Sequence, residues 1–251
     1  MSTATLEQTI NERPLTRHEY HLLSEAGAFE GKRVELIGGV IYEKEVDEKI
    51  IEPRAHLLTR REYQLLTQAG AFEGRRVELI EGVIYEKMAA MLSPHASACR
   101  KVDRLFQAAF SGQAAIGLQL PIVLNDNSEP EPDLSLARGS DADYDDHNPL
   151  ASEVLLALEV SDSTLSIDRR TKASAYARAQ IVEYWILNIE ERQLEIHRGP
   201  QQDSAMPLGW GYSTRLIVPE SGRAATLWKP NVEFAVADLL PHAPTTPVKP
   251  H

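Results

Sequence analysis

Two acidic side chains and one lysine, distant in the chain, have the residue types of a metal-dependent hydrolytic site. Asp133 follows the run EPEP, Glu159 follows the apolar run VLLAL, and Lys172 lies one turn into a predicted helix. Carboxylate oxygens are ligands that Mg²⁺ prefers, and a bound ion can polarise a phosphodiester. A nearby ammonium would stabilise the attacking hydroxide or the charge that develops on the phosphate. The combination predicts Mg²⁺-assisted hydrolysis, with Mn²⁺ as a substitute ion.

Glu159 is the most informative of the three because the strand before it is apolar. A carboxylate at the end of Val154–Leu158 costs several kcal/mol to bury unless it is paired or bound to a metal. An ion pair with Lys172 or Arg169 would meet that requirement as well as a metal ion would. The residues alone therefore leave a metal site and a structural ion pair open.

Strand and helix patterns alternate around these residues and predict an α/β fold. Strands and a hairpin are predicted, in chain order, at Leu118–Leu124, Asp133–Ala137, Val154–Val160, and Val182–Ile189 with Gln193–His197. One helix is predicted to begin at Ser93-Pro94 and another to cover Arg169–Ala179. The expected architecture is a mixed central sheet flanked by helices.

A thirty-residue segment occurs twice near the amino terminus. Leu15–Lys44 and Leu58–Lys87 are identical at 24 positions, and each copy reads as a capped amphipathic helix followed by a two-residue hairpin. Two repeats are too few for a solenoid, so we interpret the repeat as a local duplication of a helix-hairpin unit. The first copy is extra, and it is docked at a sheet edge, docked against a partner or loosely held. We predict a tail plus this extra copy over 1–57, the main domain over 58–240 and a disordered tail over 241–251.

The acidic balance of the chain is local. The formal net charge of -11 argues at first against a nucleic-acid partner, because phosphate contacts need Lys and Arg. Residues 126–168 hold twelve acidic side chains and one basic side chain, which accounts for the whole excess. The composition also excludes collagen-like and wholly disordered proteins.

Targeting and redox features indicate the cytoplasm. The uncharged stretch 105–125 contains Gln, Gly and Pro, which exclude a membrane span. Cys99 is the single cysteine, so an intrachain disulfide is excluded, and no secretory leader is visible. We therefore expect a cytoplasmic protein without membrane contact.

Five short motifs are weak evidence individually, but their occurrence together in one order is informative. They are, in chain order, RVELIEG, SEPEPDLSL, LALEVSDSTL, K-x3-YARA and EYWILNI. This order resembles the putative restriction endonuclease family of the Uma-two type, in the PD-(D/E)XK nuclease superfamily. The resemblance covers roughly residues 58–240 and implies a restriction-endonuclease-like fold, Mg²⁺ dependence and phosphodiester hydrolysis in DNA.

The resemblance also implies roles for individual residues. Asp133 and Glu159 would be the metal ligands, and Lys172 would be the catalytic lysine. The superfamily signature places the lysine two residues after the acid, on the same strand, and this chain has Ser161 there. In this chain Lys172 could therefore act only if the following helix packs across the end of the strand.

Four further polar residues are weaker candidates. Glu78 in RVELIEG would be an additional catalytic residue, either as an extra ligand or by orienting a water molecule. His95 would be a general base or would form a hydrogen bond at the helix start. Gln119 would bridge to a metal-bound water or a phosphate, or form a structural amide pair. Asp168 would position Lys172 by i,i+4 pairing, or would only be a helix N-terminal charge.

Zinc is not expected, because the histidine pair with a suitable spacing is not retained between the two repeat copies. His18 and His21 are replaced by Arg61 and Gln64 in the second copy, so the repeat does not depend on them. No nucleophile elbow, P-loop or dinucleotide-binding motif is present either.

The leading hypothesis is a Mg²⁺-dependent DNA endonuclease that acts as a homodimer, since one site per chain must cut two strands. Phosphate contacts are predicted for six basic residues, namely Arg100, Lys101, Arg104, Arg169, Arg170 and Arg178. The rival hypothesis is a non-catalytic module that keeps the nuclease fold and binds nucleic acid or protein. A nuclease acting on RNA also stays open, because no reader of the 2′-hydroxyl is visible.

Overall fold

The structure is a computed structural model that describes residues 10–44, 54–87 and 93–242. The chain forms two compact units: Met1–Ala89 joins Pro121–Glu131 in the smaller one, and Ala90–Leu120 joins Pro132–His251 in the larger one. Both repeat copies belong to the smaller unit, whereas the predicted domain boundary at residue 58 separates the first copy from the second. That domain assignment stays a prediction. The tail beyond residue 242, part of the predicted disordered tail, lies outside the described residues.

The larger unit contains a six-stranded mixed sheet. Its strands are β7 (Ala115–Gly117), β8 (Leu134–Ala137), β9 (Val154–Ser161), β10 (Glu183–Asn188), β11 (Gln193–Gln202) and β12 (Trp210–Pro219). They lie in the order β12-β11-β10-β9-β8-β7, and only β9 and β10 run parallel. A parallel pair requires a crossover, and helices connect these two strands. The predicted α/β fold with a mixed central sheet is confirmed.

Helix α3 (Ser93–Phe110) supplies apolar side chains to the core of the larger unit. Val102, Phe106 and Phe110 are buried there, as the helical spacing predicts. They belong to the same cluster as Leu158 and Trp185 from β9 and β10. The unit is completed by a hairpin and a short helix, which are β13 (Arg223–Ala225), β14 (Glu233–Ala235) and α6 (Val236–Leu239).

The crossover from β9 to β10 contains an irregular helix. It begins as α4 (Leu165–Ile167), widens into a π-helical turn over Asp168–Lys172 and continues as α5 (Ala173–Arg178). The sequence predicted one regular helix over Arg169–Ala179, and periodicity alone does not reveal a π turn. Such turns occur frequently at functional sites.

The predicted strand over Leu118–Leu124 is wrong. The strand in this region is β7, which ends at Gly117. Gln119 adopts a left-handed backbone conformation with φ of 49°, and an extended strand excludes this conformation. Pro121 then removes a backbone donor from the same stretch.

In the smaller unit the two repeat copies fold alike. The first copy forms α1 (Arg17–Glu25), β2 (Val34–Ile37) and β3 (Val40–Glu43), and the second forms α2 (Arg60–Gln68), β5 (Val77–Ile80) and β6 (Val83–Lys87). Each helix begins with a complete capping box, at Thr16 with Glu19 and at Thr59 with Glu62. The predicted hairpin turn at Glu81-Gly82 has positive φ at both residues, which suits the twist of two paired strands.

The two copies exchange their first strands. Strand β1 (Ile10–Glu12) precedes the first copy but pairs with β6 of the second, and β4 (Arg54–Ala55) precedes the second copy but pairs with β3 of the first. Leu23 and Ile41 of the first copy share a buried cluster with Leu66 and Leu79 of the second. The first copy is therefore packed into this unit. Among the described helices, none has the length and apolar character to cross a membrane.

Candidate functional site

The two predicted metal ligands lie at the ends of adjacent strands. Leu134 of β8 pairs with Leu158 of β9, and Asp133 and Glu159 are the next residues beyond this pair. The Asp133 Oδ2 atom accepts a hydrogen bond of 2.8 Å from the Val160 N–H. Asp133 and Glu159 are 4% and 2% exposed. Antiparallel pairing thus brings two acids, separated by 25 residues in the chain, to one place in the sheet.

The π-helical turn brings Lys172 to Glu159. The Lys172 ammonium lies 2.9 Å from Glu159 Oε1, and the Tyr176 hydroxyl donates to the same oxygen at 2.9 Å. Lys172 is 1% exposed, although lysine is among the residues least often buried. The crossover helix thus brings the Lys172 amine to the end of β9. Lys172 could act only in this arrangement, because Ser161 occupies the position where the superfamily signature has its lysine.

Asp168 lies close enough to these groups to interact with them electrostatically. Burial raises the pKa of Asp168, and the Lys172 ammonium opposes that rise, whereas the Asp133 carboxylate adds to it. The Thr164 hydroxyl donates a hydrogen bond of 2.5 Å to Asp168 Oδ2. Asp133, Glu159, Lys172 and Asp168 therefore form one buried set of charges, which we name the β8–β9 site.

Gln119 and His95 both lie against Asp133. The Gln119 amide donates to Asp133 Oδ1 at 3.0 Å, which is the amide pairing left open by the sequence. His95 Nε2 lies 3.4 Å from Asp133 Oδ2. The left-handed backbone at Gln119 turns the chain beside Asp133. The sequence singled out both residues but could not place either beside this carboxylate.

Cys99 is a neighbour of the site that the sequence interpretation missed. It lies one helical turn after His95, and its Sγ atom is 3.5 Å from His95 Nδ1. Ligand atoms of His95, Cys99 and Asp133 all lie within 4.8 Å of one another. The i,i+4 spacing of His95 and Cys99 on a predicted helix was the signal available in the sequence.

Glu78 belongs to the smaller unit. It lies on β5, is 1% exposed and accepts a hydrogen bond of 3.1 Å from the Glu131 N–H. This contact joins two segments of the smaller unit. The catalytic role predicted for Glu78 stays a prediction.

The six predicted phosphate-binding residues divide into two kinds. Arg169 is paired with the buried Glu195, and the Lys101 ammonium donates to the Leu240 carbonyl at 2.6 Å. Burial raises the pKa of Glu195, but His197, Arg169 and Arg215 hold the pKa well below its usual range. The exposed members of the set are Arg100, Arg104, Arg170 and Arg178.

Comparisons with known proteins agree with the motif order. A family model described as "Uma2: Putative restriction endonuclease" matches residues 60–224. A solved structure described as a putative nuclease belonging to DUF820 from Anabaena variabilis is similar at 14% identity with a TM-score of 0.49, over 65% of this chain and 88% of that chain. No curated protein matches the chain. The family model covers more than half of the chain and begins within the second repeat copy, so this chain belongs to the Uma2 family of putative restriction endonucleases.

Proposed function

We propose that the chain is a Mg²⁺-dependent endonuclease that hydrolyses phosphodiester bonds in DNA. Membership in a family of putative restriction endonucleases supports nuclease activity. The observation that carries the proposal is the β8–β9 site, where two buried acids on adjacent strands lie beside a buried lysine.

The donor set suits a hard divalent cation. Asp133 and Glu159 would hold Mg²⁺, since one or two carboxylates with water and substrate phosphate form its usual environment. When bound, the ion would supply Lewis acid polarisation of the phosphate. Its positive charge would add to that of the Lys172 ammonium, which already pairs with Glu159.

The protein groups around the acids position them and add positive charge. Gln119 and the Val160 N–H hold the two oxygens of Asp133, and Tyr176 holds Glu159 Oε1. The Lys172 ammonium provides fixed positive charge, which stabilises negative charge on a phosphate oxygen in a site that excludes water. Asp168 also faces Lys172, and burial raises the pKa of Asp168 while the positive charge of Lys172 opposes that rise.

Plasmid nicking tests this proposal. We expect the protein to convert supercoiled plasmid to the nicked form with Mg²⁺, and we expect EDTA or Asp133→Asn to abolish the conversion. Asp141→Asn is the matched control, because Asp141 is an exposed acid at the start of a short 3-10 helix (Asp141–Tyr144) in the same unit. Equal nicking by the untreated protein, the EDTA sample and Asp133→Asn would refute the metal-dependent mechanism.

A non-catalytic module is the second candidate, and the Glu159–Lys172 ion pair favours it. This pair compensates Glu159 without a metal, as a purely structural site would. Calorimetry separates the two functions: Mg²⁺ or Mn²⁺ binding that Glu159→Gln abolishes supports the enzyme, and absence of binding supports the module. The homodimer, the choice of DNA over RNA and the cytoplasmic location stay predictions.

A further inference from the structure

Three residues on one face of α3 carry metal-ligating or acidic side chains. His95, Cys99 and Asp103 follow one another at intervals of four, so they lie along one side of the helix. Cys99 and Asp103 line a cavity of about 220 Å³ together with Asp133 and Gln119. An imidazole, a thiol and two carboxylates are thus gathered along one side of the larger unit.

The donor atoms of His95, Cys99 and Asp133 lie within 4.8 Å of one another, which is close enough for a single small ion once the imidazole has turned. Two ligands bound at about 2.0–2.3 Å to a tetrahedral ion lie roughly 3.3–3.8 Å apart. His95 is 3.5 Å from Cys99 Sγ and 3.4 Å from Asp133 Oδ2. These two distances use different nitrogens of the ring, so ion binding requires a rotation of the imidazole that brings one nitrogen between the other two ligands.

Asp103 is an independent sign that the cavity receives a charged ligand. Its Oδ1 atom is buried and makes no hydrogen bond within the part of the chain that the structure describes. A buried carboxylate oxygen without a donor is costly, and a cation or its bound water in the cavity would remove that cost. Asp103 lies one turn beyond Cys99 and lines the same cavity.

We propose that His95, Cys99 and Asp133 bind a d-block divalent cation such as Zn²⁺ or Co²⁺, with Asp103 accepting from its water. We name this cluster the α3 site. The inference deepens the proposed function through the shared Asp133, because a d-block ion there gains nitrogen and sulfur ligands that Mg²⁺ does not use. Thiolate and imidazole select such ions over Mg²⁺, and three protein ligands with one open position are typical of catalytic rather than structural zinc.

Cobalt absorption tests the α3 site in the full chain. A Co²⁺ titration is expected to produce a sulfur-to-cobalt charge-transfer band in the near ultraviolet, and Cys99→Ser is expected to remove the band. His95→Gln and Asp133→Asn are expected to weaken Co²⁺ binding at least about tenfold, the loss seen even for residues that only support a ligand. His147→Gln is the matched control, since His147 is exposed in a loop of the same unit.

The single cysteine provides a second readout that does not depend on activity. Zn²⁺ is expected to slow alkylation of Cys99 by iodoacetamide, and the same concentration of Mg²⁺ is not. His95→Gln should keep the thiol reactive but lose the protection, which separates ligand loss from unfolding. Equal alkylation rates with and without Zn²⁺, or a Co²⁺ complex without the charge-transfer band, would overturn the inference.

The outcomes for the α3 site and for the nuclease are distinguishable. Nicking in Mg²⁺ by a protein that never shows the thiolate band contradicts the α3 site and leaves the endonuclease standing. A thiolate band in a protein that nicks no plasmid with any divalent ion supports the α3 site and contradicts the endonuclease.

Discussion

Lys172 and Glu159 are both almost completely buried, and each compensates the charge of the other. Taking two charges out of water is costly, and their attraction repays the cost only when further hydrogen bonds complete the pair. The Tyr176 hydroxyl supplies one such bond to Glu159. Loss of either charge therefore leaves the other without compensation, which makes stability a direct measure of the pair.

A double-mutant cycle measures this dependence. We expect Glu159→Gln or Lys172→Met alone to lower the free energy of unfolding by about 3–5 kcal/mol, and we expect the double variant to lose much less than the sum. Chemical denaturation gives all four values. The surface pair Lys32–Glu43 is the control, and its coupling should stay below about 1 kcal/mol. Additive losses at Glu159 and Lys172 would show that the two charges are not coupled.

The sequence identified the charged residues of the β8–β9 site from residue type and the burial of one strand. Asp133 and Glu159 could be predicted because acids beside apolar strands need compensation. Cys99 was missed, although its position four residues after His95 on a predicted helix was a signal in the sequence. The pairing of Arg169 with Glu195 was also beyond prediction, because Glu195 is buried by strands that meet only in the folded sheet.

At the scale of elements, identical segments acquire different environments. The sequence VELI forms β2 in the first copy and β5 in the second, yet Ile37 is 53% exposed and its counterpart Ile80 is 1% exposed. Strand β5 is also bridged at Leu79 to Glu129 of a distant segment. Local sequence cannot predict this, since the bridging residue is distant in the chain.

The two isoleucines provide a matched test of burial. Ile80→Ala is expected to lower the free energy of unfolding by about 2–5 kcal/mol, because it removes buried methyl groups and leaves a cavity. Ile37→Ala is expected to change it by less than about 0.5 kcal/mol, as surface substitutions usually do. Urea unfolding measures both. Similar losses for the two variants would mean that the first copy buries Ile37 in solution.

His56 follows β4 at the position where Arg13 follows β1. His56 contacts Glu62 of its own copy and Glu43 of the other. The hydrogen bond to Glu62 raises the pKa of His56 above 6.5, although burial opposes the rise. Arg13 is the counterpart, and its guanidinium contacts Glu19 and Glu86.

Stability should therefore fall as the pH rises from 6.5 through the raised pKa of His56. A raised folded-state pKa means that the His56 contribution is complete below the unfolded value of 6.5 and is lost as the pH passes the folded pKa. We expect a loss on the order of 1 kcal/mol, measured by urea unfolding from pH 6 upward. His56→Arg copies the first repeat and should remove this dependence. A wild-type profile as flat as that of His56→Arg would contradict the assignment.

At the scale of the whole molecule, the fold class could be predicted and the compact units could not. The nearly continuous apolar run Val154–Val160 indicates a strand covered on both faces, and the parallel pairing of β9 with β10 agrees with it. The segment Pro121–Glu131 belongs to the unit that contains the two repeat copies, although the chain on both sides of it belongs to the larger unit. The bridge between Leu79 and Glu129 is one of its contacts with the second copy. Long-range pairing of this kind leaves no local pattern in the sequence.

DNA binding should depend on salt through a small number of exposed arginines. Arg100, Arg104 and Arg170 are exposed in the larger unit, and Arg100 borders the cavity beside Asp133. Each phosphate contact adds about 0.9 to the slope of log K against log salt, so the triple Arg→Gln variant should reduce that slope by about 3. Duplex binding, with cleavage prevented by Asp133→Asn, measures it. Arg223→Gln is the control, since Arg223 is exposed in the same unit and pairs with Glu233. An unchanged slope in the triple variant would place the DNA surface elsewhere.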